Sequence, residues 1–161
     1  MSLAILHVYH HNTWANERLL TFLESQPDSV LAATAPGAFG TIAETIVHLA
    51  AAQERYVERL AGEKRAEPVR ESEGWRGFPA LRDSLDWSDP RLVAAAETAV
   101  EGAEVETERN GQRVTLKLAT LLTQAINHAT EHRVNITTIL AAAQIEHPEL
   151  DGWAYAEATW P

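Results

Sequence analysis

His128 and His132 stand four residues apart in the stretch TLKLATLLTQAINHATEHRVNITTILAAAQ, residues 115–144. On a helix, side chains at i and i+4 lie one above the other, so two imidazoles at this spacing can grip one cation. On a 100-degree wheel both fall just inside the arc formed by Leu118, Leu121, Leu122, Ala125, Ala129, Ile136, Ile139, Leu140 and Ala143. The imidazoles are therefore expected to face inward. Asn127, Thr130, Glu131 and Thr138 take the opposite, solvated side. A single inward histidine reads best as a hydrogen-bonded packing group. Two on one face, with a third candidate upstream, favour a metal.

That third candidate is His48. Thr41 followed by Glu44 is a capping-box pattern, and it predicts a helix running to about Leu60 before Gly62. Its apolar arc contains Ile42, Thr45, Ile46, Leu49, Tyr56, Val57 and Leu60, with His48 on the shoulder. Alone, His48 is an ambiguous boundary residue. Joined to His128 and His132, it would complete a three-histidine site with open coordination positions.

Elements to position these residues are legible on either side. A first helix is predicted over 3–25, its stripe formed by Ile5, Leu6, Tyr9, Thr13, Asn16, Leu19, Leu20 and Leu23. Asn16 is the polar member of that stripe, so it is either a hydrogen bonder to a neighbouring helix or an orienting group beside the site. His7 and His11 share the i,i+4 spacing but fall with Trp14 and Arg18 on the far side, where surface positions are expected. His10 lies on the stripe's border and is left open. Residues 26–40 form a loop with two prolines and two glycines. Residues 63–88 form a second long loop with a short helical turn in FPALRDSLDW, and Trp75, Phe78 and Trp87 read either as anchors onto the core or as pocket walls. Ser88 or Asp89 is expected to cap a third helix with Pro90 in its first turn and Leu92, Ala96, Ala99 and Ala103 at helical spacing. Asn110-Gly111 predicts a tight turn, with a small hairpin before the last helix. After His147-Pro148, an aromatic tail is expected to cover one end of the core.

Composition narrows the chemistry. The 161 residues are expected to form one domain, 1–161, of all-α class, with four amphipathic helices and long connections. Thirteen Lys and Arg against 23 Asp and Glu give a net charge of −10, with basic residues scattered, so nucleic acid is not an expected partner. No stretch approaches the roughly 20 apolar residues of a membrane span. Together with the lack of a leader-like N-terminus, this places the expected location in the cytoplasm. There are no cysteines, which excludes disulfides, zinc-thiolate centres and a cysteine nucleophile. Any thiol chemistry must use an incoming thiol.

In YHHNTWANERLL, the single histidine of TIVHLAAAQERYV, NHATEHRVNI and the closing PELDGWAY, the chain resembles the DinB/YfiT-like metalloenzyme superfamily. The motifs cover nearly the full length in the family's order. The resemblance implies a four-helix bundle, frequently a homodimer, with a divalent metal held by three histidines, here His48, His128 and His132. Many relatives carry a histidine where this chain has Glu131, an outward position whose change should not unseat the metal. The family name implies induction by DNA damage and hence a stress response, and some relatives are thiol-dependent transferases or isomerases. The expected function is a metal-dependent enzyme, a low-molecular-weight-thiol S-transferase or a hydrolase acting on a small molecule. The alternative is a non-catalytic stress protein that binds a metal or small ligand. Zinc, nickel and iron all suit imidazole.

Overall fold

The computed structural model describes residues 3–109 and 111–160, and its secondary structure is mostly helical. Helices α1 (Leu3–Glu24), α2 (Ile42–Ala61), α3 (Phe78–Glu97), α4 (Leu118–Ala142) and α5 (Gly152–Thr159) are joined by loops. Strands β1 (Glu104–Arg109) and β2 (Gln112–Lys117) stand between α3 and α4. They pair antiparallel from Glu104 opposite Lys117 to Arg109 opposite Gln112, which is the expected hairpin and a departure from a purely helical class. Gly111 turns with φ +75°, a conformation that glycine adopts without strain. Asn110, the other half of the predicted turn, lies outside the described residues. No helix among the described residues is long and apolar enough to cross a membrane.

α2 is central, packing against both α3 and α4, while α1 contacts the same two helices. Its start is fixed by the predicted capping box: Glu44 N–H donates to Thr41 Oγ1 at 3.2 Å, and Thr41 N–H donates to Glu44 Oε2 at 2.8 Å. Gly62 ends it in the left-handed region at φ +72°.

Two apolar clusters form the core. Leu19, Leu20, Leu23, Ile46, Leu49, Leu81, Leu85, Ile136, Ile139 and Leu140 belong to one. Tyr9, Tyr56, Val57, Leu92, Ala96, Leu122 and Ala125 belong to the other. Along each of the four long helices, buried polar residues stand between these two sets: Asn12 and Asn16 on α1, Gln53 on α2, Ser88 and Asp89 on α3, Arg133 on α4. They bond to one another across helices, with Gln53 Nε2 donating to Asp89 Oδ1 at 2.7 Å and to Ser88 Oγ at 2.9 Å. A hydrogen-bonded layer therefore separates two apolar ones. Only the bonding makes such burial tolerable.

The third helix departs from expectation. It begins at Phe78, ten residues before the predicted caps, and Pro90 lies inside it. Ser88 and Asp89 are core residues of the polar layer, not caps. The reason is the core pattern: Leu81, Leu85, Ser88, Leu92 and Ala96 recur every three or four residues straight through the proline. Pro90 and Asp86, whose carbonyl loses its helical donor, are both exposed, so solvent can satisfy that carbonyl. The helix also stops at Glu97, leaving Ala99 and Ala103 outside it. α4 begins at Leu118, directly after β2.

The tail forms α5, which leans on the outer face of α1 and does not close an end of the core. Tyr155 packs against His7, His11 and Trp14 with ring centroids 5.2, 5.5 and 5.4 Å away. His11, expected on the surface, is thus half covered, whereas His7 and His10 are exposed.

The long loop between α2 and α3 is latched to α2 by Glu54, only 5% exposed. Its carboxylate accepts from Arg65 Nη1 at 3.0 Å, Val69 N–H at 2.9 Å and Ser84 Oγ at 2.6 Å. Trp75 and Phe78 meet edge to face at 4.9 Å and pack on the first apolar cluster, and Trp87 packs on the second. All three aromatics anchor, and Trp75 also walls a cavity, so for it both sequence readings hold. Glu54→Ala leaves Arg65 only Asp83 and the Glu67 carbonyl, strips Val69 N–H and Ser84 Oγ of their acceptor and frees the loop, so urea unfolding is expected to show a loss of about 2 kcal/mol, as for buried donors left without a partner. A loss below about 1 kcal/mol would show that the latch carries no weight.

Candidate metal centre

His48 faces α4 from α2, where the packing of Ile46, Leu49 and Ile139 fixes the rotation of both helices. His128 and His132 sit one turn apart on α4, ring centroids 4.4 Å apart. The His48 ring lies 5.0 Å from that of His128 and 4.6 Å from that of His132. One nitrogen from each can be chosen so that all three lie within 4.8 Å of one another. The structure thus brings together the three histidines singled out in the sequence.

The hydrogen bonds assign the tautomers. His48 Nδ1 is 2.7 Å from Glu71 Oε2, so Nδ1–H donates to the carboxylate and the lone pair sits on Nε2. His48 Nε2 is 3.1 Å from His128 Nε2, which must therefore supply the proton between them. A metal would replace that proton. At metal–nitrogen distances of about 2.0–2.1 Å, neighbouring ligand nitrogens are separated by about 2.9 Å at right angles and about 3.4 Å at the tetrahedral angle. The 3.1 Å found lies inside that interval. His132 Nδ1 is buried with no hydrogen-bond partner among the described residues, an unmet valence that a purely packing histidine would not leave. The residues fit a cation.

Electrostatics favour the same state. Burial, then the neighbouring His132 and His48, push the His128 imidazole down to about 4. Burial, then His48, also lowers that of His132. Both rings are neutral at pH 7 and present lone pairs, as ligands must.

Sequence reasoning missed two neighbours. Glu71, in a short 3-10 turn of the long loop, takes His48 on one oxygen and Arg55 Nη1 on the other at 2.9 Å. Partial burial pushes its carboxyl upward, but the bonds from His48 and Arg55 outweigh this and hold it below the usual range. Phe39 lies 4.4 Å from the His48 ring and edge-on to His132 at 5.0 Å, with its backbone N–H donating to Asn135 Oδ1 at 3.0 Å. Although 52% of Phe39 is exposed, it covers one side of the cluster. Both residues are on loops, where no periodicity could flag them. The only signal was the acidic run Glu71-Ser72-Glu73 opposite a histidine helix.

Asn16 stands elsewhere. It belongs to the polar layer, donating to Gln53 Oε1 at 2.9 Å and to Asp89 Oδ1 at 3.2 Å, and accepting from Arg133 Nη1 at 2.7 Å. Its bond from Arg133 leads to the residue after His132.

A mostly helical chain with a trihistidine cluster between two helices, backed by a carboxylate, defines a class of candidate metal-binding proteins. The sequence model of the DinB family matches residues 1–161, and the chain belongs to that family. The crystal structure of a DinB-like protein from Bacillus cereus ATCC 10987 is similar in fold, with a TM-score of 0.61 at 18% identity over 85% of this chain and 91% of that one. No protein of curated function matches the sequence.

The His128 shift predicts a pH dependence for the metal-free protein. Its folded pKa of about 4 lies below the ordinary 6.5, so between these values the unfolded chain binds the extra proton. The contribution of His128 is therefore complete above pH 6.5 and lost as pH falls toward 4. Asp89, raised to about 7 by burial, acts with the opposite sign, so the comparison is between wild type and His128→Gln. Urea midpoints should fall more steeply with acid in the wild type across that window. Parallel slopes would contradict the shift.

Proposed function

We propose that the chain is a divalent-metal-binding DinB protein and a metal-dependent enzyme, a low-molecular-weight-thiol S-transferase or a hydrolase of small molecules. The observation that carries the first part is the convergence of His48, His128 and His132 with Glu71 behind His48. A bound zinc, nickel or iron would act there as a Lewis acid, drawing an incoming thiol or water toward its anion near neutral pH. The chain has no cysteine, so the thiol in such a reaction comes from the substrate side.

The protein's own groups have separate tasks. The three neutral imidazoles bring no negative charge, which keeps the centre electrophilic. Glu71 holds His48 in the Nδ1–H tautomer and so keeps Nε2 free for the cation. Phe39 excludes water from one side. A cavity of about 350 Å³ walled by Phe39, Val47, Glu71 and Trp75 shares Phe39 and Glu71 with the surroundings of His48 and is the proposed substrate space. Asn16 positions the middle of α4 through Arg133, the residue after His132. The four long helices are read as the four-helix bundle of the family, acting in the cytoplasm as a homodimer.

Metal analysis of untagged protein tests the site. About one divalent ion per chain is expected, abolished in a His48→Ala, His128→Ala double variant, with affinity about 10- to 100-fold weaker in Glu71→Gln. Unchanged stoichiometry in the double variant would refute the centre. Loaded protein incubated with an electrophile and a panel of small thiols should consume thiol, and Asn16→Ala should slow turnover. Metal binding without turnover of any thiol or ester would leave a metal-binding protein and remove the catalytic reading.

A further inference from the structure

Arg133 is only 3% exposed, yet no carboxylate among the described residues pairs with its guanidinium directly. Nη1 gives both its protons to amide oxygens, Asn12 Oδ1 and Asn16 Oδ1, each at 2.7 Å. Nη2 makes one long bond, 3.3 Å, to Thr130 Oγ1. Asp89 reaches Arg133 only indirectly, through Asn16 and through Gln53 and Asn12. Nε–H and one Nη2–H have no partner among the described residues, and Nε and Nη2 together form the side-on edge that receives a carboxylate in bidentate pairs. A buried cation without a direct anion is costly, and that cost falls when one arrives.

Arg133 also borders open space, beside the Thr130 to which its Nη2 donates. A groove of about 350 Å³ runs between α1, α4 and the segment leading to α5, and Arg133 is its one buried lining residue, hence its floor. Val134, Pro148 and Leu150 supply apolar walls, and His11 closes one side with its Nε2 held by the Leu150 carbonyl at 2.8 Å. The acidic groups at the rim do not fill the fork. Asp151 spends Oδ1 on the N–H groups of Trp153 and Ala154 at 3.0 and 2.9 Å, and Glu149 is exposed.

We infer that this groove is a second ligand site, separate from the trihistidine cluster, that binds a small monocarboxylic acid with its carboxylate on the Arg133 edge and its apolar body against Val134, Pro148 and Leu150. The inference does not rest on the metal.

Benzoate and its neutral isostere benzamide are suitable probes, titrated calorimetrically into the full chain. Benzoate should bind at least about tenfold more tightly, the equivalent of one charge-assisted hydrogen bond. Val134→Trp, at a position 56% exposed, fills the groove without touching the core and should weaken benzoate about tenfold or more. Arg133→Gln should erase the preference over benzamide; if that variant does not fold, Val134→Trp still decides. The His48→Ala, His128→Ala variant separates this site from anion binding at the metal and should retain full benzoate affinity. Equal binding of the two probes, insensitivity to Val134→Trp, or loss of benzoate with the histidines would each overturn the site.

Discussion

The approach of α2 to α4 is the constraint on which the rest depends. Packing of Ile46 and Leu49 with Ile136, Ile139 and Leu140 fixes the separation and rotation of the two helices, and so brings His48 Nε2 to 3.1 Å from His128 Nε2. A slip of one residue on α4 would turn the histidine pair by about 100 degrees, away from α2. The apolar packing therefore positions the cluster, and the cluster contributes little in return: two desolvated imidazoles and an unpartnered nitrogen oppose folding until something coordinates them.

The polar layer answers a different need. With apolar residues above and below it on every long helix, a register shift of α1 or α4 would leave Arg133, Asn16 or Gln53 without partners at a cost of about 1–3 kcal/mol for each group. Apolar contacts tolerate sliding better than hydrogen bonds do. The layer thus reads as the device that locks register, and through register the histidines. Glu54 plays the corresponding part for the long loop, holding Arg65 and Val69 so that Glu71 arrives behind His48.

Much of this was legible in sequence where a single helix carried the information. The i,i+4 spacing of His128 and His132 and the shoulder position of His48 were readable because α2 and α4 follow an apolar period, and the capping box marked where α2 starts. Other signals misled for physical reasons. Pro90 is most at home in a first helical turn, so Ser88 and Asp89 looked like caps, yet the core spacing of Leu81, Leu85, Leu92 and Ala96 overrode the proline. Asn16 was visible as a polar residue in an apolar stripe, but only the packed structure shows its partners to be Gln53, Asp89 and Arg133. Glu71 and Phe39 were out of reach because a loop has no period, and its path is set by contacts such as Glu54 with Arg65.

The central claim is that three imidazoles from two distant segments share one cation. Anomalous diffraction from crystals of zinc-loaded protein, collected on either side of the zinc absorption edge, tests it most directly. The account predicts one strong peak lying about 2.0–2.1 Å from a nitrogen of each of His48, His128 and His132, with Glu71 still bonded to His48 Nδ1. A peak coordinated by other residues, or His48 turned away from a metal held by His128 and His132 alone, would contradict it.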